Sequence, residues 1–334
     1  MIQKSDKTKR LWIGIVLLVS IIAMAIIIIH HNPLAIQSEE ITKKVIACAL
    51  IIVANLLFIR LYDKVIILPI ELFQNRKLIW KLSVNDFKTR YAGSYLGMVW
   101  AFVQPIVTIL MYWFVFGQFM GQNKASLLGG GLEVPYVLYL TAGLIPWFFF
   151  TEALTNGTTA LLEYNYLVKK VVFKISILPI IKIVAASFIH GFFVLFLLIL
   201  CAVGYGYYPD VYTIQLLYYS FCLFIFVLGL SYATCSIVIF FRDLTQIISI
   251  ILQVGMWGTP ILWQLNQAPE ALQIIFKLNP VYYIVNGYRS ALFEKQWFYE
   301  DFYSTMYFWI VTVVIFGVGA LIFKRLKVHF ADVL

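Results

Sequence analysis

Eight apolar runs divide the chain, at roughly 11–30, 44–62, 96–119, 134–155, 178–204, 213–240, 244–262 and 303–323. Each approaches the about 20 residues that a helix needs to cross a bilayer core. Residues 71–95 behave differently. From Trp80 the apolar positions fall at Trp80, Val84, Phe87, Tyr91 and Tyr95, the three- and four-residue steps of a single helical face. Lys77, Lys81, Asn85 and Lys88 keep the same rhythm on another face. A helix with aromatics on one side and lysines on the other lies in the bilayer surface rather than crossing it. Gly93 and Gly97 end it, and Leu96 opens the next apolar run. The surface helix therefore leads without a linker into a spanning one, where it can hold a lipid headgroup or a partner protein at the mouth of a helical bundle.

The runs predict an all-α integral membrane protein of eight spans, in which residues 1–70 add two helices ahead of a surface helix and a six-span unit at 96–334. Residues 163–175 form a basic loop with its own helical pattern: Tyr164, Leu167, Val168, Val171 and Val172 on one face, Lys169, Lys170 and Lys174 on another. From about 258 to 300 the apolar pieces are short and broken at Gly258-Thr259-Pro260, Pro269 and Asn279-Pro280. They predict a pair of helices dipping back into the outer leaflet, a geometry that must be shielded by protein or face water.

Charge fixes an orientation for this pattern. With the N-terminus inside, 19 of the 25 Lys and Arg residues fall on the inner side and 6 outside. The positive-inside rule thus predicts both termini in the cytoplasm and a multi-pass protein of the cytoplasmic membrane. The net charge of +9 is accounted for by topology, and nucleic acid is not an expected partner. The charged fraction, 12%, is about half that of soluble domains. Cys48, Cys201, Cys222 and Cys235 lie in or beside apolar runs without close pairs, which predicts free thiols and neither a disulfide framework nor a metal site. The first apolar run lacks a small-x-small cleavage pattern and is read as a retained anchor.

Four segments carry a family resemblance. They are Asp86-Phe-Lys-Thr-Arg-Tyr-Ala-Gly-Ser-Tyr-Leu-Gly-Met-Val-Trp100 with Pro105; Ala142-Gly-Leu-Ile-Pro-Trp-Phe-Phe-Phe150; and Leu167-Val-Lys-Lys-Val-Val-Phe173 with Ile177-Leu-Pro179. The fourth combines Phe241-Arg-Asp243, Asn279-Pro-Val-Tyr282 and Tyr288-Arg-Ser-Ala-Leu292 with the terminal His329-Phe-Ala-Asp-Val-Leu334. In this order they resemble the membrane subunits of polysaccharide-exporting ABC transporters of the ABC-2 type, such as the teichoic-acid and O-antigen or capsule export permeases. The first two spans depart from the six-span family pattern, and Lys174 stands where a proline commonly follows the aromatic. The resemblance implies a homodimer of this chain with two copies of a separate P-loop ATPase, in a bacterial cytoplasmic membrane. ATP and Mg would sit on that partner: no G-x-x-x-x-G-K-[ST] occurs here, so this chain holds no cofactor and is not itself an enzyme. The implied cargo is a polyprenyl-diphosphate-linked glycan.

Under that resemblance, Lys88, Arg90 and Tyr91 are candidates to meet the lipid diphosphate, as cations near a helix end suit such a ligand; ordinary anchoring to membrane lipids is the competing reading. Tyr112, Trp113, Phe116, Tyr139, Trp147 and Phe148 are candidates to line a glycan path, against an interfacial aromatic belt. Tyr164, Leu167, Val168, Lys169, Lys170 and Phe173 would form the helix that couples to the ATPase. Glu152 is an acid inside a predicted span, expected to line the conduit or pair with a backbone donor or Thr155. Arg242 and Asp243, at a tight inner turn, are expected to pair or to cap the following helix. Arg289 is expected to fix the broken outer segment through Glu294 or a carbonyl. Two rival functions share parts of this pattern: an ABC-2 permease for small lipophilic compounds, and an integral-membrane glycosyltransferase or ligase, for which no catalytic constellation is recognisable.

Overall fold

The computed structural model describes residues 2–29, 37–65, 67–90, 95–127, 132–168 and 174–333. The chain separates into two compact units, Met1–Pro69 and Ile70–Leu334. In the first, α1 (Ile2–Ile29) and α2 (Gln37–Val65) pack together. Ser20 Oγ donates to Asn55 Oδ1 at 3.1 Å, a polar rivet between two otherwise apolar surfaces.

The surface helix is two helices, α3 (Ile67–Gln74) and α4 (Arg76–Arg90), broken at Asn75, whose amide donates to the Glu71 carbonyl. Lys77, Lys81 and Lys88 are exposed, as the basic stripe requires. The buried face differs from the aromatic one. It runs through Ile79, Ser83 and Asp86, while Trp80 and Phe87 lie alongside it, each edge-on to Phe188. The reason is electrostatic: the helix that α4 packs against carries a lysine, and Asp86 turns inward to meet it.

A tight turn at Gly97–Val99, with Gly97 at φ +52°, starts the next helix, α5 (Trp100–Tyr112), which holds Pro105 and widens into a π-turn at Trp113–Phe119. A short antiparallel hairpin follows, β1 (Lys124–Ser126) against β2 (Glu133–Pro135), in register Ala125 to Val134. Next come α6 (Tyr136–Glu163) and the short α7 (Asn165–Val168). They lead to α8 (Leu178–Ile199), α9 (Gln215–Val238) and α10 (Leu244–Gly258). Short α11 (Glu270–Lys277) and α12 (Pro280–Arg289) precede α13 (Phe302–Leu326) and α14 (Phe330–Val333).

Among the described residues, five helical stretches are long and apolar enough to cross a membrane: Gly97–Phe119, Tyr136–Glu163, Ile175–Gly204, Val211–Val238 and Phe302–His329. The expectation of eight is therefore met only in part. In α1 and α2 the apolar windows are the shorter Ile13–Ile29 and Lys44–Val53. The run at 244–262 folds into only 15 residues of helix, roughly 22 Å at 1.5 Å per residue against a hydrocarbon core of about 30 Å. It stops at Gly258 because Thr259 turns to extended backbone and Pro260 follows. Asn279 then caps α12, accepting from the Val281 amide at 3.0 Å, with Pro280 at the first helical position, the arrangement favoured at helix starts.

Helix α6 is the hub of the second unit: it packs on α8, α9, α10 and α12, and 78% of its apolar window is buried. Beside it α9 and α13 cross at backbone contact. A Cβ on Gly319 would stand 2.3 Å from the Gly229 carbonyl oxygen, so only glycine permits that approach.

Candidate functional site

A charged cluster joins α4, the C-terminal end of α6 and α8. Lys182, inside the apolar run of α8, has 7% of its side chain exposed and sits 2.6 Å from both Asp86 Oδ1 and Glu163 Oε2. The Tyr164 hydroxyl donates to Asp86 Oδ1 at 2.5 Å, and the Lys182 ammonium lies 4.9 Å from the Tyr164 ring centre. Burial, followed by the hydrogen bond to the Asp86 carboxylate, pushes the Tyr164 phenol above its ordinary value, so it remains a donor. Buried charges persist only when paired and hydrogen-bonded, which explains why α4 rests on α8 through its polar face.

Arg90 extends this cluster toward α5. One guanidinium nitrogen reaches Asp86 Oδ2 at 3.4 Å, one turn back, and the other is bound to Glu152 on α6. Two open clefts both take Arg90 and Asn156 into their linings. One cavity of about 390 Å³ is lined by Asp86, Thr89, Glu163, Tyr164 and Lys182, with Arg90 and Asn156 at its edge. The other, about 490 Å³, lies between α5 and α6 and shares Arg90 and Asn156. Its walls are one helical face of α5 (Trp100, Gln104, Thr108) and one of α6 (Phe148, Glu152, Thr155). Pro105 belongs to this wall as well. Each wall carries one aromatic, Trp100 or Phe148, beside several polar side chains, which suits a ligand with hydroxyls and apolar faces.

Of the residues singled out from sequence, Arg90, Phe148, Glu152 and Tyr164 come together here, whereas Lys88 points into solvent as an exposed side chain. Glu152 pairs with Arg90, not with Thr155 or a backbone donor as expected. Tyr91, Lys169, Lys170 and Phe173 lie outside the described residues. In α7 Val168 is buried, Leu167 half-buried and the neighbouring Tyr166 exposed.

Two of the aromatics proposed for a path, Tyr139 and Trp147, are buried against protein within the chain. Tyr139 donates to the Trp263 carbonyl at 2.9 Å, under the Arg289 guanidinium at 3.5 Å. Trp147 is buried and fills the space above Gly255, where a Cβ would come within 3.0 Å of its ring. Tyr112, Trp113 and Phe116 remain half-buried on α5 and its π-turn, with the Tyr112 hydroxyl 3.8 Å from Met256 Sδ.

Arg289 is fully enclosed and donates to the carbonyls of Tyr139, Pro260 and Ile261 at 3.2, 2.7 and 3.0 Å, so it holds the broken segment through carbonyls. At the turn before α10 Asp243 occupies the cap position, but its carboxylate accepts no capping hydrogen bond. No side chain takes the place of that cap: Asp243 already has helical backbone angles, and the Leu244 and Thr245 amides donate to the backbone carbonyls of Phe241 and Arg242 at 3.2 and 3.3 Å.

Sequence reasoning missed Asp86, Glu163 and Lys182. A signal was present: a lone lysine early in an apolar run and a lone acid within a basic helix are each costly unless they meet.

A bundle of apolar helices, entered at one side by a basic surface helix and hollowed beside an ionic cluster, defines a membrane transport subunit. The family described as ABC-2 type transporter matches residues 77–293, and the chain belongs to it. It is similar to the O-antigen export system permease protein RfbA of Myxococcus xanthus, 28% identical over 264 residues, 78% of this chain and 97% of the relative. A protein of the same description from Klebsiella pneumoniae is 27% identical over 77% of this chain and 95% of its own length. The polysialic acid transport protein KpsM of Escherichia coli is 21% identical over 73% of this chain and 91% of its own.

Proposed function

We propose that this chain is the transmembrane subunit of an ATP-driven ABC transporter that exports lipid-linked cell-surface polysaccharide across the bacterial cytoplasmic membrane. One observation carries the reading: relatives named for O-antigen export and for polysialic acid transport are matched over 91–97% of their own lengths. An O-antigen-like glycan or a teichoic acid, carried on a polyprenyl diphosphate, is the cargo we favour. The working assembly would be two copies of this chain with two copies of a P-loop ATPase, which binds ATP and Mg. The 163–175 loop, with Tyr164, Leu167, Val168, Lys169, Lys170 and Phe173, would receive the partner, and both termini would lie in the cytoplasm. Rigid-body motion of a docked partner tilts the helices attached to such a loop.

In this reading Arg90, with Lys88 and Tyr91, meets the diphosphate, and the groove between α5 and α6 takes the first sugars against Trp100 and Phe148. Half-buried Tyr112, Trp113 and Phe116 would continue the path. The helices between 258 and 300 would form its outer cover. Depletion of this chain should trap lipid-linked polymer inside the cell and clear it from the surface, scored by surface glycan staining and by lipid extraction. Normal surface polymer in depleted cells that have no second copy of the gene would overturn the proposal.

A further inference from the structure

Helix α12 carries Tyr282, Asn286 and Arg289 at i, i+4 and i+7, the spacing of one helical face. That face lines a small chamber of about 10 Å³, whose other walls include Tyr139 of α6, Asn266 after the bend and Ser126 of the hairpin. Two groups mark it as a built site. The Tyr282 hydroxyl is buried, with 7% of the residue exposed, and has no hydrogen-bond partner in the protein. Arg289, 2% exposed, gives three donors to the neutral carbonyls of Tyr139, Pro260 and Ile261, and a guanidinium has further N–H groups to offer. A buried hydroxyl left unpaired and a buried charge held by neutral carbonyls are both costly. One guest that accepts hydrogen bonds and carries negative charge relieves both.

The lining agrees with that sign. Among the described residues it contains no acid, and the chain continuing from Leu127, Leu128-Gly-Gly-Gly131, has no ionisable side chain to add. Glu294, the next acid along the chain, accepts from Ser290 Oγ at 2.5 Å. Ser126, Asn266 and Asn286 bring hydroxyl and amide donors, and Asn266 is exposed, which gives a guest a way in. The volume is at the lower limit for a single guest of about water size, so phosphate, sulfate and carboxylates are too large.

We propose that this chamber binds a single-atom anion, chloride under ordinary conditions, held by the Arg289 guanidinium and the Tyr282 hydroxyl. The ion is the counter-charge of the residue that joins α6, the bend and α12, and it stabilises that junction. The site shares no residue with the α5–α6 groove, so it stands or falls independently of the export reading.

The test is thermal unfolding of the purified full-length chain in detergent, in sodium gluconate and with chloride replacing gluconate at constant ionic strength. Chloride should raise the melting temperature saturably, by about 3 °C at the plateau. Tyr282→Phe is the discriminating variant, because it keeps the ring and removes only the hydroxyl. In gluconate it should melt no lower than the parent chain, since an unpaired buried hydroxyl has been deleted. In chloride it should melt below the parent, with the midpoint of any remaining response moved to about tenfold higher chloride. Equal melting of the parent in the two salts overturns the proposal. So does a Tyr282→Phe variant that melts lower by the same amount in both salts, because the hydroxyl is then satisfied by water. A variant that keeps the parent's full chloride response at the same midpoint places the ion elsewhere and overturns it too. Crystals of the parent grown in bromide give a reading that needs no variant. Anomalous density within hydrogen-bond distance of Tyr282 Oη and Arg289 is expected, and water density alone at that position refutes the assignment.

Discussion

Replacing Asp86 by asparagine tests whether the ionic cluster holds α4 to the bundle. The substitution keeps the shape of the side chain and removes its charge. Lys182, with 7% of its side chain exposed, is left with Glu163 alone, which is 48% exposed, and the Tyr164 hydroxyl loses an ionic acceptor. Removing one partner of a buried pair costs about 3–5 kcal/mol, and the remaining Glu163 contact sets the expectation at the lower end, about 3 kcal/mol. At the usual unfolding entropy per residue, that loss lowers the melting temperature of a domain this size by roughly 5 °C. Lys182→Met strands fewer groups, since Asp86 keeps Arg90 and Tyr164, and should cost less. The decisive variant is the pair together: with both charges gone, Asp86→Asn/Lys182→Met should melt above Asp86→Asn, a coupling that a double-mutant cycle isolates. The assay is thermal unfolding of the purified full-length chain in detergent, followed by circular dichroism, with exposed Asn85→Ala as control. If Asp86→Asn shifts melting no more than the control, or if the double variant falls by the sum of the single effects, the cluster does not act as argued.

Gly319→Ala should prevent stable folding, because its methyl would meet the Gly229 carbonyl at 2.3 Å, a backbone atom that cannot swing aside; Gly14→Ala, with open space around it, should express normally. The comparison is the yield of monodisperse protein in detergent. At the opposite end of the bundle Asp210 accepts from the Tyr212 and Thr213 amides at 3.0 and 3.3 Å and pairs with Lys295 at 3.0 Å. Burial alone would raise this carboxyl, but Lys295 and those two amides hold it below the usual carboxylate range. A carboxyl depressed on folding stabilises above its unfolded value and loses that contribution as pH falls through its folded value. Asp210→Ala should therefore cost about 1 kcal/mol at neutral pH, and the gap in melting temperature should close only under strongly acidic conditions; a gap that persists there would refute the assignment.

Much of the fold was legible because hydropathy and charge act over whole segments. The five crossing stretches, the exposed lysines of α4 and the broken chain after Gly258 follow from runs, stripes and prolines that need no partner to be read. The site was less legible because it depends on pairs distant in sequence. Glu152 looked isolated in its run, yet its partner Arg90 is 62 residues earlier. Asp86 lies beside the aromatic stripe of α4, and its partner Lys182 is 96 residues further on, beyond the reach of local periodicity. The 244–262 run was long enough on paper, but Thr259-Pro260 ends its helix early, a local backbone preference that hydropathy alone does not register.

Arg289 has a consequence for where movement can occur. Where α10 stops, the Pro260 and Ile261 carbonyls of the bend are satisfied by one guanidinium. The same side chain grips α6 through Tyr139, welding hub, bend and α12 into a single block. Displacement during a working cycle must then fall to parts outside that weld. Helix α5, whose apolar window is 11% buried, is the piece of the second unit best placed to slide.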